Sequence, residues 1–205
     1  MSDLYKTIEK PSEETLFKDK NSKFYGYALP VSSIEDVKNK LEEIQKKHPN
    51  AGHYCYAYQI GIEEIQYRVN DDGEPNNSAG MPIYGQIQSF DVTNVLVISV
   101  RYFGGVKLGV SGLINAYRTS AKLSLEAANI KEKTIKLYFK LIFDYDLMSK
   151  VMRYIKENNL EIINQELALD CKYVVAIRKK HANKVFNFFK QLYKVEVEKL
   201  DSNSI

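Results

Sequence analysis

The spacing of apolar positions changes several times along the chain, and each change marks an element. Residues 15–31 read as a strand pair turning at Asp19-Lys20-Asn21-Ser22, with Phe17, Phe24, Tyr25 and Val31 as strand-type residues. Ile34, Val37, Leu41 and Ile44 then recur on one helical face among lysines and glutamates. Ser32 with Glu35 three residues on fits a capping box, and Pro49-Asn50 ends the helix. Two strands, 52–60 and 64–69, meet at Gly61-Ile62-Glu63. The polar stretch from Val69 to Ala79 reads as loop and 80–89 as a short helix. Val92 to Phe103 reads as a long strand, and its run Val95-Leu96-Val97-Ile98 lacks alternation, which predicts burial on both faces. A glycine-rich turn leads into a helix from about Gly112 to Ala128, with Ile114, Tyr117, Ala121 and Leu125 as its core stripe.

Asn129 to Lys133 is read as a boundary between domains at 1–130 and 134–202. Beyond it the order is regular: a strand Ile135–Phe143, a helix on Met148, Val151, Met152 and Ile155, strands 162–169 and 173–177, a helix on Ala182, Val185, Phe186, Phe189 and Leu192, and a last strand at Val195 and Val197. That β-α-β-β-α-β order predicts a ferredoxin-like domain. With the mixed first region, the fold class is α+β.

The bulk properties narrow the class without naming a function. The 205 residues are 44% hydrophobic and 27% charged, as in an ordinary globular protein. No apolar run reaches the ~20 residues of a membrane span, and no signal peptide is evident, so a cytoplasmic protein without a membrane partner is expected. Two distant cysteines, Cys55 and Cys171, read as reduced thiols. Net charge is +3 but uneven: residues from Lys131 onward hold 15 Lys+Arg against 10 Asp+Glu, the first 130 hold 14 against 16. Solvated lysines on helix faces account for this most simply, with an RNA or ribosome contact as the sharper reading.

Chemistry concentrates in two stretches. Arg101-Tyr102-Phe103-Gly104-Gly105-Val106-Lys107-Leu108-Gly109-Val110-Ser111-Gly112 places four glycines between a strand and a helix start, where backbone N–H groups favour anions. Arg101 and Lys107 would add charge, and Ser111 and Asn115 hydrogen bonds. The spacing fits neither a P-loop nor a dinucleotide fingerprint, and close backbone packing is the competing explanation. Asp71-Asp72-Gly73-Glu74-Pro75 offers three carboxylates. A turn, or ion pairs with Arg101 and Lys107, ranks first there, a binding surface second and a cation site third. His53 and Cys55 share a strand face, so a Cys–His pair is conceivable, although a buried structural cysteine is the stronger reading. Tyr54, Tyr56, Tyr58 and Tyr67 could stack bases or simply favour strands. No zinc spacing and no Gly-x-Ser-x-Gly turn is present.

Taken together, these motifs resemble the YigZ/Impact family. The likeness rests on His48-Pro49-x-Ala51-x-His53, Asp71-Asp72-Gly73-Glu74-Pro75, Ala79-Gly80-x-Pro82 and Val100 through Gly109, followed by Gly112-Leu113 and Ala116-Tyr117. Two departures stand out: Asn76-Asn77-Ser78 replaces a small residue and Gly-Thr, and Val110-Ser111 replaces Thr-Gly. Ser78 keeps a hydroxyl; Val110 does not. The resemblance implies a first domain like the second domain of a small-subunit ribosomal protein, and a second like the last domain of elongation factor G. Eukaryotic Impact proteins regulate translation by competing for an activator of a stress kinase. A dipeptidase activity is ascribed to some bacterial members, but no metal-ligand set here supports it.

These readings give a translation-associated binding protein contacting RNA or the ribosome, with a protein partner as a further occupant. The alternative is a hydrolase-like enzyme acting on a small phosphorylated or peptidic substrate. The binding candidates are His53, Asp71, Asp72, Glu74, Arg101, Tyr102, Gly104, Gly105, Lys107, Gly109, Ser111 and Gly112. No catalytic residue, metal or cofactor is assigned.

Overall fold

The computed structural model describes residues 3–200, which divide into two units: Tyr5–Lys133, and residues 3–4 together with 134–200. The first unit runs β1 (Leu4–Ile8), β2 (Thr15–Asp19), β3 (Ser22–Pro30), α1 (Ile34–Lys47), β4 (His53–Ile60), β5 (Gln66–Asn70), α2 (Gly80–Ser89), β6 (Val95–Tyr102), α3 (Gly109–Glu126) and β7 (Ile130–Thr134). Strands β1 and β7 pair in a small sheet. The main sheet is ordered β2-β3-β6-β4-β5, and all four of its pairings are antiparallel.

Strand β6 is the centre of that sheet, and its side chains alternate between two cores. Val95 and Val97 pack with Phe24, Ala28, Cys55 and Ala57 against residues of α2 and α3. Leu96, Ile98 and Val100 pack with Tyr27, Leu29 and Tyr58 against Val37 and Ile44 of α1. Two helix-covered faces explain the unbroken apolar run.

Several boundaries differ from the sequence reading, among them the start of α3, which lies at Gly109 and not near Gly112. Ser33, not Ser32, is the cap of α1: its Oγ accepts the Asp36 N–H at 3.1 Å, and Asp36 Oδ2 accepts the Ser32 N–H at 2.9 Å. Asp36 thus ties back to the residue before the cap and not to the cap's own N–H, so the start of α1 lacks the reciprocal pair of a capping box. Strand β1 was missed because five residues with no turn partner nearby carry little periodic signal. The boundary segment from Asn129 to Lys133 holds most of β7, whose pairing with β1 is invisible locally.

Helix α1 ends in a tyrosine–histidine network. His48 is buried, and its Nδ1 lies 3.1 Å from the Tyr102 hydroxyl while its Nε2 meets the Tyr27 hydroxyl. Tyr27 donates to Glu14, so the consistent neutral tautomer has Nε2–H donating to Tyr27 and Tyr102 donating to Nδ1. Burial pushes the imidazole below its ordinary range; Glu14 opposes that shift and Lys47 reinforces it. The unfolded chain therefore takes up a proton at a pH where the folded one does not. Stability is expected to fall as the pH drops from neutrality through the ordinary histidine range toward the folded value, with a slope of at most ~1.4 kcal/mol per pH unit. Urea unfolding of the wild type and of His48→Gln across that window checks this. The variant should lose the histidine part of the slope, and an unchanged slope would remove His48 as its source.

The second unit runs β8 (Lys136–Phe143), α4 (Met148–Glu157), β9 (Glu161–Leu167), β10 (Cys171–Arg178), α5 (Lys179–Gln191) and β11 (Val195–Leu200). Its sheet is ordered β11-β8-β10-β9, the expected ferredoxin-like arrangement. Phe139, Leu141, Phe143, Tyr173, Val175 and Ile177 form one core with Val151 and Ile155 of α4 and Ala182, Val185 and Phe189 of α5. Cys171 is fully buried within it. Asp3 is fastened to this unit: its carboxylate accepts from Arg178 Nε at 2.6 Å and Nη2 at 3.0 Å, and its carbonyl accepts the Ile135 N–H. The guanidinium holds the Asp3 carboxyl below the usual carboxylate range.

Candidate functional site

The acidic loop joins β5 to α2, and each carboxylate in it already has a partner. Asp71 Oδ1 accepts the N–H groups of Ala79 and Gly80 at 2.9 and 2.8 Å, and its Oδ2 accepts that of Asn77. Ala79 offers α2 no side-chain cap, so Asp71 satisfies the helix start from outside and places a negative charge at its positive end. Asp72 takes the Tyr54 N–H at 2.6 Å, which ties the loop to β4. Ser78 is buried and donates to the Pro75 carbonyl at 2.6 Å, so the hydroxyl at this departure from the family pattern closes the loop. The turn reading is correct for Asp71 and Asp72. Among the described residues no group of three His, Cys, Asp or Glu side chains is placed to hold a metal ion.

Glu74 alone points inward. It is buried, and its Oε1 accepts from Arg101 Nη1 at 2.5 Å and from the Tyr117 hydroxyl at 2.7 Å. Arg101 is itself 5% exposed and lies between the rings of Phe24 and Phe103, at 5.6 and 5.5 Å from their centroids. Its Nε is buried without a hydrogen-bond partner. The predicted ion pair between the two loops is therefore real for Arg101. It corrects the expectation that Arg101 adds charge to an anion site, because a buried, paired guanidinium presents none to solvent. Among the described residues Lys107 forms no such pair, and it is exposed.

His53 opens β4 directly opposite Arg101 in the register. Its Nδ1 donates to the Asp72 carbonyl at 2.8 Å, and its Nε2 lies 3.9 Å from Glu74 Oε1 with about a quarter of the side chain exposed. Cys55 does not join it as a nucleophile. The thiol is fully buried, donates to the Asp71 carbonyl at 3.0 Å, and is pushed well above the ordinary thiol range by burial. Tyr102 is separated from the rest of the set. As the neighbour of Arg101 on a strand it faces the α1 side, where it meets His48.

The glycine-rich stretch has two characters. Gly104 is a packing glycine: its N–H donates to Ser22 Oγ at 3.2 Å, and a Cβ there would lie 2.1 Å from the Asn21 carbonyl carbon. Beyond it the chain turns outward. Gly105 and Gly109 have φ of +85° and +74° with open space around them. Val106, Lys107, Val110 and Ser111 are exposed, Gly112 is half-buried, and Leu108 anchors the loop in the core. Leu108 gives α3 no side-chain cap, and the first turn of that helix holds no acidic residue. Val110 is half exposed, with its apolar side chain standing in solvent. In the sequence Tyr117 lies on the core stripe of the helix and in the Ala116-Tyr117 motif, with no partner assigned to its hydroxyl. Its hydroxyl on Glu74 could have been anticipated from a polar-tipped residue on a fully buried stripe, since such a group needs a partner.

An acidic turn and a glycine loop joined through a buried ion pair, on an antiparallel sheet covered by helices on both faces, and followed by a ferredoxin-like unit, define a two-unit α+β protein with its motifs confined to the first unit. The chain belongs to the family of the Impact N-terminal domain, which matches residues 20–125. It is 29% identical over 174 residues to an IMPACT family member of Haemophilus influenzae, covering 83% of this chain and 84% of that one. Protein IMPACT of Rattus norvegicus is 35% identical over 96 residues, which is 44% of this chain and 30% of the rat protein. A crystal structure described as that of a hypothetical protein shares the fold, with a TM-score of 0.71 at 23% identity, over 98% of this chain and 100% of its own.

Proposed function

We propose that this protein is a translation-associated regulatory binding protein, and that its first unit contacts RNA or the ribosome with the outward half of the glycine loop. The observation that carries this reading is the stretch from Gly105 to Ser111, exposed except at its anchor Leu108. It holds a lysine that is unpaired among the described residues and leads into the start of an 18-residue helix that has no side-chain cap. Backbone N–H groups and the helix dipole at such a start favour phosphate. The translational role comes from the family likeness, whose eukaryotic members regulate translation. A hydrolase-like activity would draw its acid or base from Asp71, Asp72, Glu74 or His53; the three carboxylates are held by partners inside the fold, and His53, part-exposed, is held through Nδ1 by the Asp72 carbonyl.

Co-sedimentation with ribosomes, with and without nuclease, tests the reading. Association should weaken steeply with salt. Lys107→Ala should lower it several-fold while changing stability by no more than ~0.5 kcal/mol, since the side chain is exposed and touches no partner. Nuclease-resistant association would point to a protein partner, and an unaffected Lys107→Ala would move the contact elsewhere.

A further inference from the structure

We propose that the second unit meets RNA with the outer side of its α4–α5 helix layer and not with the open side of its sheet. This rests on the RNA reading above. RNA-binding modules built on a four-stranded sheet stack bases on the open face, so that face is the natural first candidate.

Here most of its charges are balanced by neighbouring carboxylates. The positions alternating with the core residues of β8 and β10 include Tyr138, Lys140, Ile142, Lys172 and Val174. Lys136 pairs with Glu161, Lys172 lies 3.8 Å from Glu166 and 3.7 Å from Asp170, and Lys140 stands directly across from Glu198. A phosphate approaching this face would meet as many carboxylates as lysines.

The helix layer is different. Helices α4 and α5 lie side by side, with Tyr154 stacked on Phe188 at 3.4 Å between centroids. Their exposed positions include Lys150, Arg153 and Lys156 on α4 and Lys180, Lys184 and Lys190 on α5. The sequence of α5 contains no acidic residue, and that of α4 contains only Glu157. Among the described residues none of these six cations forms an ion pair, whereas Lys136 and Lys172 on the sheet both do. Helix α1 shows what an ordinary solvated face looks like in this protein, with glutamates and lysines interspersed. Cations left unpaired side by side repel one another, and a polyanion relieves that repulsion while releasing its own counterions. No large apolar side chain on either helix is exposed, so the layer has nothing to insert into a bilayer, and this favours RNA over an anionic membrane.

The test compares two full-length variants that each remove three positive charges: K150Q/R153Q/K184Q on the helices and K136Q/K140Q/K172Q on the sheet. Glutamine has nearly the helix propensity of lysine and arginine, so the helices should persist, and circular dichroism checks that they do. Binding to a short single-stranded RNA is followed by fluorescence anisotropy over a salt series. Each lost phosphate contact should flatten the slope of log K against log salt by about 0.7, so the helix variant should lose about two units of slope and the sheet variant none. Equal losses in both variants, or an unchanged slope in the helix variant, would overturn the assignment. Absence of salt-dependent RNA binding by the wild type would instead sink the RNA reading as a whole. Binding to phosphatidylserine vesicles without RNA binding would replace RNA by a membrane.

Discussion

Glu74→Gln is expected to destabilise the first unit by about 3–5 kcal/mol, the range for breaking a buried ion pair from one side. The carboxylate receives both Arg101 and the Tyr117 hydroxyl in a space where none of the three groups is more than slightly exposed. An amide still offers one acceptor oxygen, but it leaves the guanidinium charge uncompensated beneath the sheet. That guanidinium already has an unsatisfied Nε, and its other acceptor, Ser22 Oγ at 3.5 Å from Nη2, carries no charge to balance it. Tyr117→Phe removes a single hydrogen bond and should cost only ~1–2 kcal/mol. Replacing both charged partners by apolar side chains, Glu74→Leu with Arg101→Met, should recover much of the loss, because the penalty lies in the orphaned charge rather than in the missing attraction. Urea unfolding followed by tyrosine fluorescence reads all three. A Glu74→Gln cost below about 1 kcal/mol would show that water reaches Arg101 and that the pair is not truly buried.

Gly104→Ala is the second large effect, at about 3 kcal/mol or more. The added methyl would stand 2.1 Å from the Asn21 carbonyl carbon and 2.3 Å from the Ser22 nitrogen. Both are backbone atoms of the β2–β3 turn, so no side-chain rotation can clear the space. Gly105→Ala next door meets nothing within 4 Å and suffers only its left-handed backbone, about 1–2 kcal/mol. Thermal unfolding of the two variants should therefore rank Gly104→Ala well below Gly105→Ala. The reverse order would mean that the turn at Asn21 gives way easily.

The contrast shows how much of the site was legible beforehand. Periodicity located α1, α3, α4 and α5, because each buries one stripe, and α1, α4 and α5 expose charge on the other side. It found β6, since burial on both faces leaves an apolar run. It gives no signal for β1 or for β7 at the boundary segment, because their pairing joins residues more than a hundred positions apart. At the site, the acidic turn could be read from Asp72-Gly73 and Glu74-Pro75. The division of labour among the three carboxylates could not, because it depends on which way each side chain leaves the loop. Alternation along β6 does mean that Arg101 and Tyr102 cannot share a face. The glycines likewise looked equivalent in sequence, and only their surroundings separate packing at Gly104 from turning at Gly105 and Gly109.

The two cysteines acquire a use from where they lie. Cys55 is sealed inside the first unit and Cys171 inside the second, both with no accessible surface, and the chain has no others. A thiol reagent reaches each only while its own unit is open. Labelling kinetics under native conditions therefore time the opening of the two halves separately, within one unmodified molecule and without an added probe.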